Sequence, residues 1–179
     1  MRVHAGSGLR LDACVVAIGA FDGVHRGHQP VILQAVSAAR TFGIPVVVYT
    51  FDPPPKAVFA GATVLTSIEE KLRRVAALGV DHALIARFDR AYASPPPGIF
   101  IEELGALNPV EVRVGGDFRF GRHRAGDVAM LGRHFDIKVT ESVCCASGEV
   151  ISSSRIRDLL ARGDTSTAAK LLGTKAGPE

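Results

Sequence analysis

The chain has 179 residues, a formal net charge of +3, an apolar fraction of 47% and no tryptophan. That length fits one domain with a sizeable core, and no apolar run of about 18 residues exists to span a membrane. A mild positive excess suits phosphate-bearing small molecules; lacking basic runs and interleaved aromatics, it does not suit nucleic acid.

The N-terminus, MRVHAGSGLRLD, carries no hydrophobic signal region and reads as cytoplasmic. Ala13–Ile18 reads as a buried strand and Gly27–Phe42 as a helix, with Val31, Ala35 and Val36 at helical spacing and Gly43 as its stop. Pro45–Phe51 is a β-branched, apolar strand broken by Asp52–Pro55. Ser67 and Glu70 form a capping box for a helix that runs to Leu78 and ends at Gly79. A strand over Asp81–Phe88 follows, then Ser94-Pro95-Pro96-Pro97 as a rigid entry to a helix over Ile99–Leu107. Within that helix Glu102 and Glu103 read as a solvated face. Pro109–Gly115 is a strand, Gly116–Gly126 a glycine- and arginine-rich loop, Asp127–Phe135 a short helix and Ile137–Val143 a strand. Helices over Ser152–Arg162 and Thr165–Leu172 close the chain. Such β-α-β alternation predicts a doubly wound parallel sheet, with ligands bound outside the carboxyl ends of its strands.

Four stretches carry chemistry. In GAFDGVHRGH (Gly19–His28) a strand turns into a helix through glycines, which presents backbone N–H groups to an anion. His25 and His28, three residues apart, can donate to a phosphate whose charge grows in a transition state, and Gly27 permits close approach. The plainer reading is a turn with incidental histidines. Zinc would need a third ligand, and none is near in sequence. In Ile151–Arg157, Ser152, Ser153 and Ser154 stand at a helix start, and Arg157 lies one turn in, able to fork onto phosphate oxygens. A serine cap followed by surface arginines is the alternative. In Gly115–Gly121, Phe118 and Phe120 can grip a planar ring with Arg119 on a phosphate, or can merely pin a loop to the core. In Phe51-Asp52-Pro53-Pro54-Pro55 a strand ends in an acid and a stiff proline run that can wall a pocket or simply break the strand. The cysteines, Cys14, Cys144 and Cys145, have no CxxC or Cys/His ligand spacing, and all three read as buried or inert thiols.

Taken in order, IGAFDGVHRGHQ, VVVYTFDPPP, LTSIEEKLRRVAALGVDHALI, VRVGGDFRFGRHRAGD, ISSSRIRDLLARGD and AAKLLG resemble the FMN adenylyltransferase (FAD synthetase) module of the bacterial bifunctional riboflavin kinase/FMN adenylyltransferases, over nearly the whole chain. The resemblance implies a Rossmann-like fold of the nucleotidyltransferase superfamily and the reaction ATP + FMN → FAD + pyrophosphate, with Mg2+ accompanying ATP. It implies catalytic roles for His25, His28 and Arg157. It implies nucleotide and phosphate binding by Gly19, Phe21, Asp22, Gly23, Gly27, Ser152, Ser153 and Ser154. Phe51, Asp52, Asp117, Phe118, Arg119 and Phe120 would line the flavin side; metal ligands are not indicated. Three departures stand out. Pro54 occupies the family's usual histidine position, Ser154 replaces a threonine, and SPPPGIF replaces a more acidic stretch. The chain stops at LLGTKAGPE where the family continues, so residues 1–179 are expected to form one domain without a riboflavin kinase, FMN being supplied by a separate one. Another phosphorylated acceptor, or a catalytically weak flavin- or nucleotide-binding regulator, are the alternative readings.

Overall fold

Residues 1–6 and 8–173 are described in a computed structural model of the chain. The chain opens with a strand absent from the sequence reading, β1 (Arg2–Ala5), an edge strand too short and too polar to show a pattern. It pairs in parallel with β4 (His82–Arg87). The central strands are β2 (Cys14–Ile18), with all five residues buried, and β3 (Val46–Asp52), with six of seven buried. A strand covered on both faces needs apolar side chains in both directions, and these two have them. Cys14, Val16 and Ile18 point into one core with Val47, Tyr49, Phe100 and Leu104, whereas Val15 and Ala17 point into the other with Ile32, Ala35 and Val48.

Helices α1 (Gln29–Phe42), α2 (Pro55–Ala60), α3 (Ile68–Ala77) and α4 (Pro97–Gly105) connect the strands up to β5 (Pro109–Gly115). The loop after β5 contains a two-stranded antiparallel ribbon, β6 (Arg119–Phe120) with β7 (Gly126–Asp127), where the sequence shows only glycine and arginine. Then come α5 (Val128–Leu131), β8 (Ile137–Thr140), α6 (Ser153–Ala161) and α7 (Thr165–Leu172). The main sheet is all parallel in the order β1-β4-β3-β2-β5-β8. From β2 the chain builds outward through β3 and β4, then returns to the other side of β2 with β5 and β8. The direction of winding therefore reverses between β2 and β5, which is where such sheets open a ligand crevice. The expected Rossmann-like doubly wound sheet is present, and no helix among the described residues is long and apolar enough to cross a membrane.

Several boundaries differ from expectation for local reasons. α1 begins at Gln29 rather than Gly27, because the His25 carbonyl accepts from the N–H groups of both His28 and Gln29 in a preceding tight turn. α2 escapes the sequence reading because PKAVFA is short and preceded by prolines. α5 is one turn long: Asp127 caps it by accepting from Met130 N–H, and Gly132 ends it. β8 stops at Thr140, and the chain folds back through a bridge between Cys144 and Val150.

The three thiols differ in their surroundings. Cys14 is buried, and burial pushes its thiol up to about 12. Cys144 is exposed. The Cys145 sulfur takes a hydrogen bond from Arg155 Nη1 at 3.0 Å and lies 3.0 Å from the Ser147 hydroxyl, contacts that draw its pKa down to about 6.

A small third core holds α6 against α7: Ile151, Ile156, Ala168 and Leu171, with Leu65 and Leu172 packed on it. Ile156 is completely buried. Ile156→Ala should destabilise the protein by about 2–5 kcal/mol, read from urea unfolding. A loss below about 1 kcal/mol would show that the cluster does not hold α6 in place.

Candidate active site

The turn after β2 is locally strained. Phe21 and Val24 have φ of 45° and 43°, unusual for side-chain-bearing residues, and both are buried. Buried contacts hold the turn in this conformation. Phe21 packs in the core and meets the His28 ring edge-on at 5.4 Å. The Asp22 carboxylate accepts from Leu65 N–H at 3.0 Å through Oδ1 and from the Arg157 guanidinium through Oδ2. Arg157 also donates to the Thr63 carbonyl. The Ser153 hydroxyl donates to the Asp22 carbonyl at 3.1 Å and lies 3.2 Å from His25 Nε2. Two motifs some 130 residues apart in sequence therefore meet in one polar network.

This network assigns His25 its tautomer. Ser153 spends its single proton on the Asp22 carbonyl, so the proton between Ser153 and His25 belongs to His25 Nε2. His25 Nδ1 is buried without a partner among the described residues. The His25 and His28 rings stack with centroids 3.5 Å apart and planes 20° from parallel. Burial, reinforced by the nearby Arg157 charge, lowers the His25 pKa to about 4. Burial also drives the His28 pKa well below its usual value, helped by His25 and Lys71. Both rings are neutral at physiological pH and act as hydrogen-bond donors and acceptors rather than as cations. Neither ring nitrogen of His28 has a protein partner among the described residues; Nδ1 is buried, which leaves Nε2 for a ligand.

The three serines divide the work. Ser152 caps α6 by accepting from Arg155 N–H, Ser153 joins the His25 network, and the Ser154 hydroxyl accepts from Lys56 Nζ at 2.8 Å. Lys56 was not anticipated, since a lone lysine after three prolines gives no pattern. Lys71 was missed too. It stands four residues before the buried Val75, on the apolar side of α3, and donates to the carbonyls of Ala20 (3.1 Å) and Phe51 (2.9 Å). It thereby ties the carboxyl ends of β2 and β3 together. Burial depresses its pKa, against the pull of Asp22 and Asp52.

Beside this network lies a cleft of about 770 Å³. Phe51, Phe59, Phe88, Phe100 and Phe120 supply aromatic surface, and Arg90, Arg119, Arg122, Arg124 and Lys56 supply positive charge. Of the residues read from sequence as flavin-binding, Phe51, Arg119 and Phe120 line the cleft. Phe118 stands behind, stacked on Phe120 at 5.8 Å and packed on the core. Asp52 and Asp117 are not among the lining residues. Gly19 remains part of the sheet through its N–H bond to Tyr49. Gly23 and Gly27 lie in the turn itself, and Pro54 is buried at the start of α2. Ser94–Pro97 does more than lead into α4: its Ser94 and Pro95 carbonyls accept from Arg122, fastening the ribbon loop over the cleft. Glu103, expected to face solvent, instead accepts from the Tyr92 hydroxyl at 3.0 Å on the cleft wall.

Among known proteins, a family model described as FAD synthetase matches residues 9–155. The bifunctional riboflavin kinase/FMN adenylyltransferase of Escherichia coli K12 is 39% identical over 181 residues, covering 96% of this chain and 58% of the longer relative. A Geobacillus thermodenitrificans protein provisionally given the same bifunctional name is 55% identical over 174 residues, 97% of each chain. A crystal structure from Streptococcus pneumoniae, described as a macrolide-efflux protein, superposes with a TM-score of 0.85 at 28% identity, over 98% of this chain and 63% of that one.

Two outcomes follow from the geometry. Between pH 6.5 and about 4 the unfolded chain takes up a proton that folded His25 refuses, so stability falls as the pH drops through that window and is level above it. The loss should reach about 3 kcal/mol. His25→Gln should make that pH dependence shallower in denaturant titrations run at several pH values, His28 supplying the remainder, and an unchanged slope would contradict the neutral, buried His25. A Cβ on Gly27 would stand 2.6 Å from the Ile151 carbonyl oxygen. Gly27→Ala should therefore push the turn away from α6 and cut activity far more than it lowers the melting temperature, as paired kinetics and thermal melts would show.

Proposed function

The chain belongs to the FAD synthetase family, and from this premise we propose that it transfers AMP from ATP to FMN, giving FAD and pyrophosphate. The observation that carries the reading is the contact of His25 with Ser153, because it joins the turn after β2 to the start of α6 beside an aromatic cleft. An adenylyl transfer needs two such parts, a place for polyphosphate and a place for a flat acceptor.

In the reaction an oxygen of the FMN phosphate forms a bond to the α-phosphorus of ATP. The bond from that phosphorus to the bridging oxygen breaks, and its electron pair leaves with pyrophosphate. The nucleophile is already ionised, so no base is required, and rate comes from positioning and from stabilising charge on the transferring group. His28 offers its Nε2–H to that group, preorganised by the stack on His25. His25 positions: its own N–H is engaged by Ser153. Free N–H groups at the start of α6, with Ser154 and Lys56, receive phosphate oxygens. Arg157 holds Asp22 and thereby the turn, and becomes available to pyrophosphate oxygens if that pairing loosens.

Mg2+ is proposed to arrive with ATP. No trio of histidine, cysteine or acidic side chains able to hold a metal sits together among the described residues. That donor set suits a cation carried on phosphate oxygens and water better than a protein cage. The described residues are proposed to form a single adenylyltransferase domain built around the six-stranded sheet, with FMN as its substrate.

Protein mixed with Mg2+, ATP and FMN should yield FAD by chromatography. Protection of the protein by ATP with no FAD formed would overturn FMN as acceptor and favour another phosphorylated one. His28→Ala should lower kcat by about 10²-fold or more, as loss of one oxyanion donor does, with ATP and FMN still binding. Undiminished turnover would remove His28 from its role.

A further inference from the structure

The chain has only two tyrosines, and their hydroxyls meet. Tyr49 on β3 is completely buried, and its hydroxyl lies 2.8 Å from that of Tyr92. The Tyr92 hydroxyl lies 3.0 Å from Glu103 Oε2. A carboxylate at the end of the chain sets its direction: Tyr92 donates to Glu103 and so accepts from Tyr49. Both tyrosine protons are then satisfied, and the carboxylate is held in place from inside the core.

Glu103 is half-buried in the cleft wall, among aromatic rings and within a site lined by four arginines. It makes no ion pair among the described residues. Its Oε1 takes no hydrogen bond from the protein there either. A partly desolvated carboxylate with one unused oxygen, fixed by tyrosine rather than arginine, is an acceptor waiting for a donor carried by the ligand. We propose that Glu103, oriented by Tyr92, accepts the imide N–H on the pyrimidine edge of the flavin ring and so determines acceptor specificity. This rests on FMN being the acceptor. The isoalloxazine is flat and largely apolar, matching the phenylalanine walls, and its imide N–H is flanked by two carbonyls that only donors can meet. A charge-assisted hydrogen bond there rejects rings lacking the N–H, because the bound ring would cover the carboxylate and leave it unpaired.

The test compares FMN with its N3-methyl analogue in the full chain. FAD formation from FMN by the wild type is scored first and tests the reaction itself. The wild type should then prefer FMN in kcat/KM by about 10- to 100-fold, as expected for a hydrogen bond to a charged group. In Glu103→Ala the preference should collapse toward unity, with KM for FMN raised about tenfold and KM for ATP unchanged. Tyr92→Phe, which keeps the ring and its packing, should give an intermediate preference and decides the matter if Glu103→Ala does not fold. If the wild type forms no FAD, the same comparison is read from quenching of flavin fluorescence on binding. A preference retained in both variants, or equal losses with FMN and its methyl analogue, would overturn the assignment.

Discussion

Asp22 is the residue on which the site depends. Its side chain and carbonyl bind three residues in two distant segments: Leu65 before α3, and Ser153 and Arg157 one turn apart on α6. A buried carboxylate is costly unless paired and hydrogen-bonded, and here every contact that satisfies it also draws a distant part of the chain to the turn after β2. That turn carries two buried side-chain-bearing residues with positive φ, a conformation that persists only when its surroundings over-determine it. The stacked, neutral histidines are a consequence. Burial keeps both rings neutral, so each has one donor and one acceptor nitrogen.

A second constraint shapes the acceptor side. Lys71 fastens the carboxyl ends of β2 and β3 through the Ala20 and Phe51 carbonyls, and Arg122 fastens the ribbon loop to Ser94 and Pro95. Between these ties lies a cleft with phenylalanine walls and a cationic rim. The end proposed for polyphosphate is thus built of backbone N–H groups, hydroxyls and neutral imidazoles. The end proposed for the acceptor is built of aromatic surface, with the Tyr49–Tyr92–Glu103 chain as its polar feature. The two ends meet near Lys56, which touches Ser154 and also lines the cleft.

Much of this was legible from residue order. Uninterrupted apolar runs identify β2 and β3 because a strand covered on both faces admits little else. The Ser67–Glu70 capping box marks the start of α3, and Gly43 marks the end of α1. The histidine and serine motifs were each recognisable as phosphate-binding candidates from their glycines, hydroxyls and position before helices. What escaped were single polar residues on faces that pattern marks as apolar or solvated. Lys71 reads as an ordinary helix lysine until Val75 is seen to be buried four residues on. Glu103 reads as half of a surface acidic pair until its position three residues after the buried Phe100 turns it toward the cleft. Cys145 reads as an inert thiol until Arg155 is found beside it.

The sequence by itself determined the alternation of strands and helices, the crevice end of the sheet and which two motifs are the candidates for phosphate. These depend on local propensity and on periodicities of a few residues. Only the tertiary structure decided that Ser153 accepts a hydrogen bond from His25, that Arg157 is paired with Asp22, and that Tyr49 aims Glu103 through Tyr92. Each of those contacts joins residues far apart in the chain, or orients a side chain through a third one. No local pattern encodes a proton's direction across such a distance, because it is set by which partner's hydrogen-bonding capacity is already used.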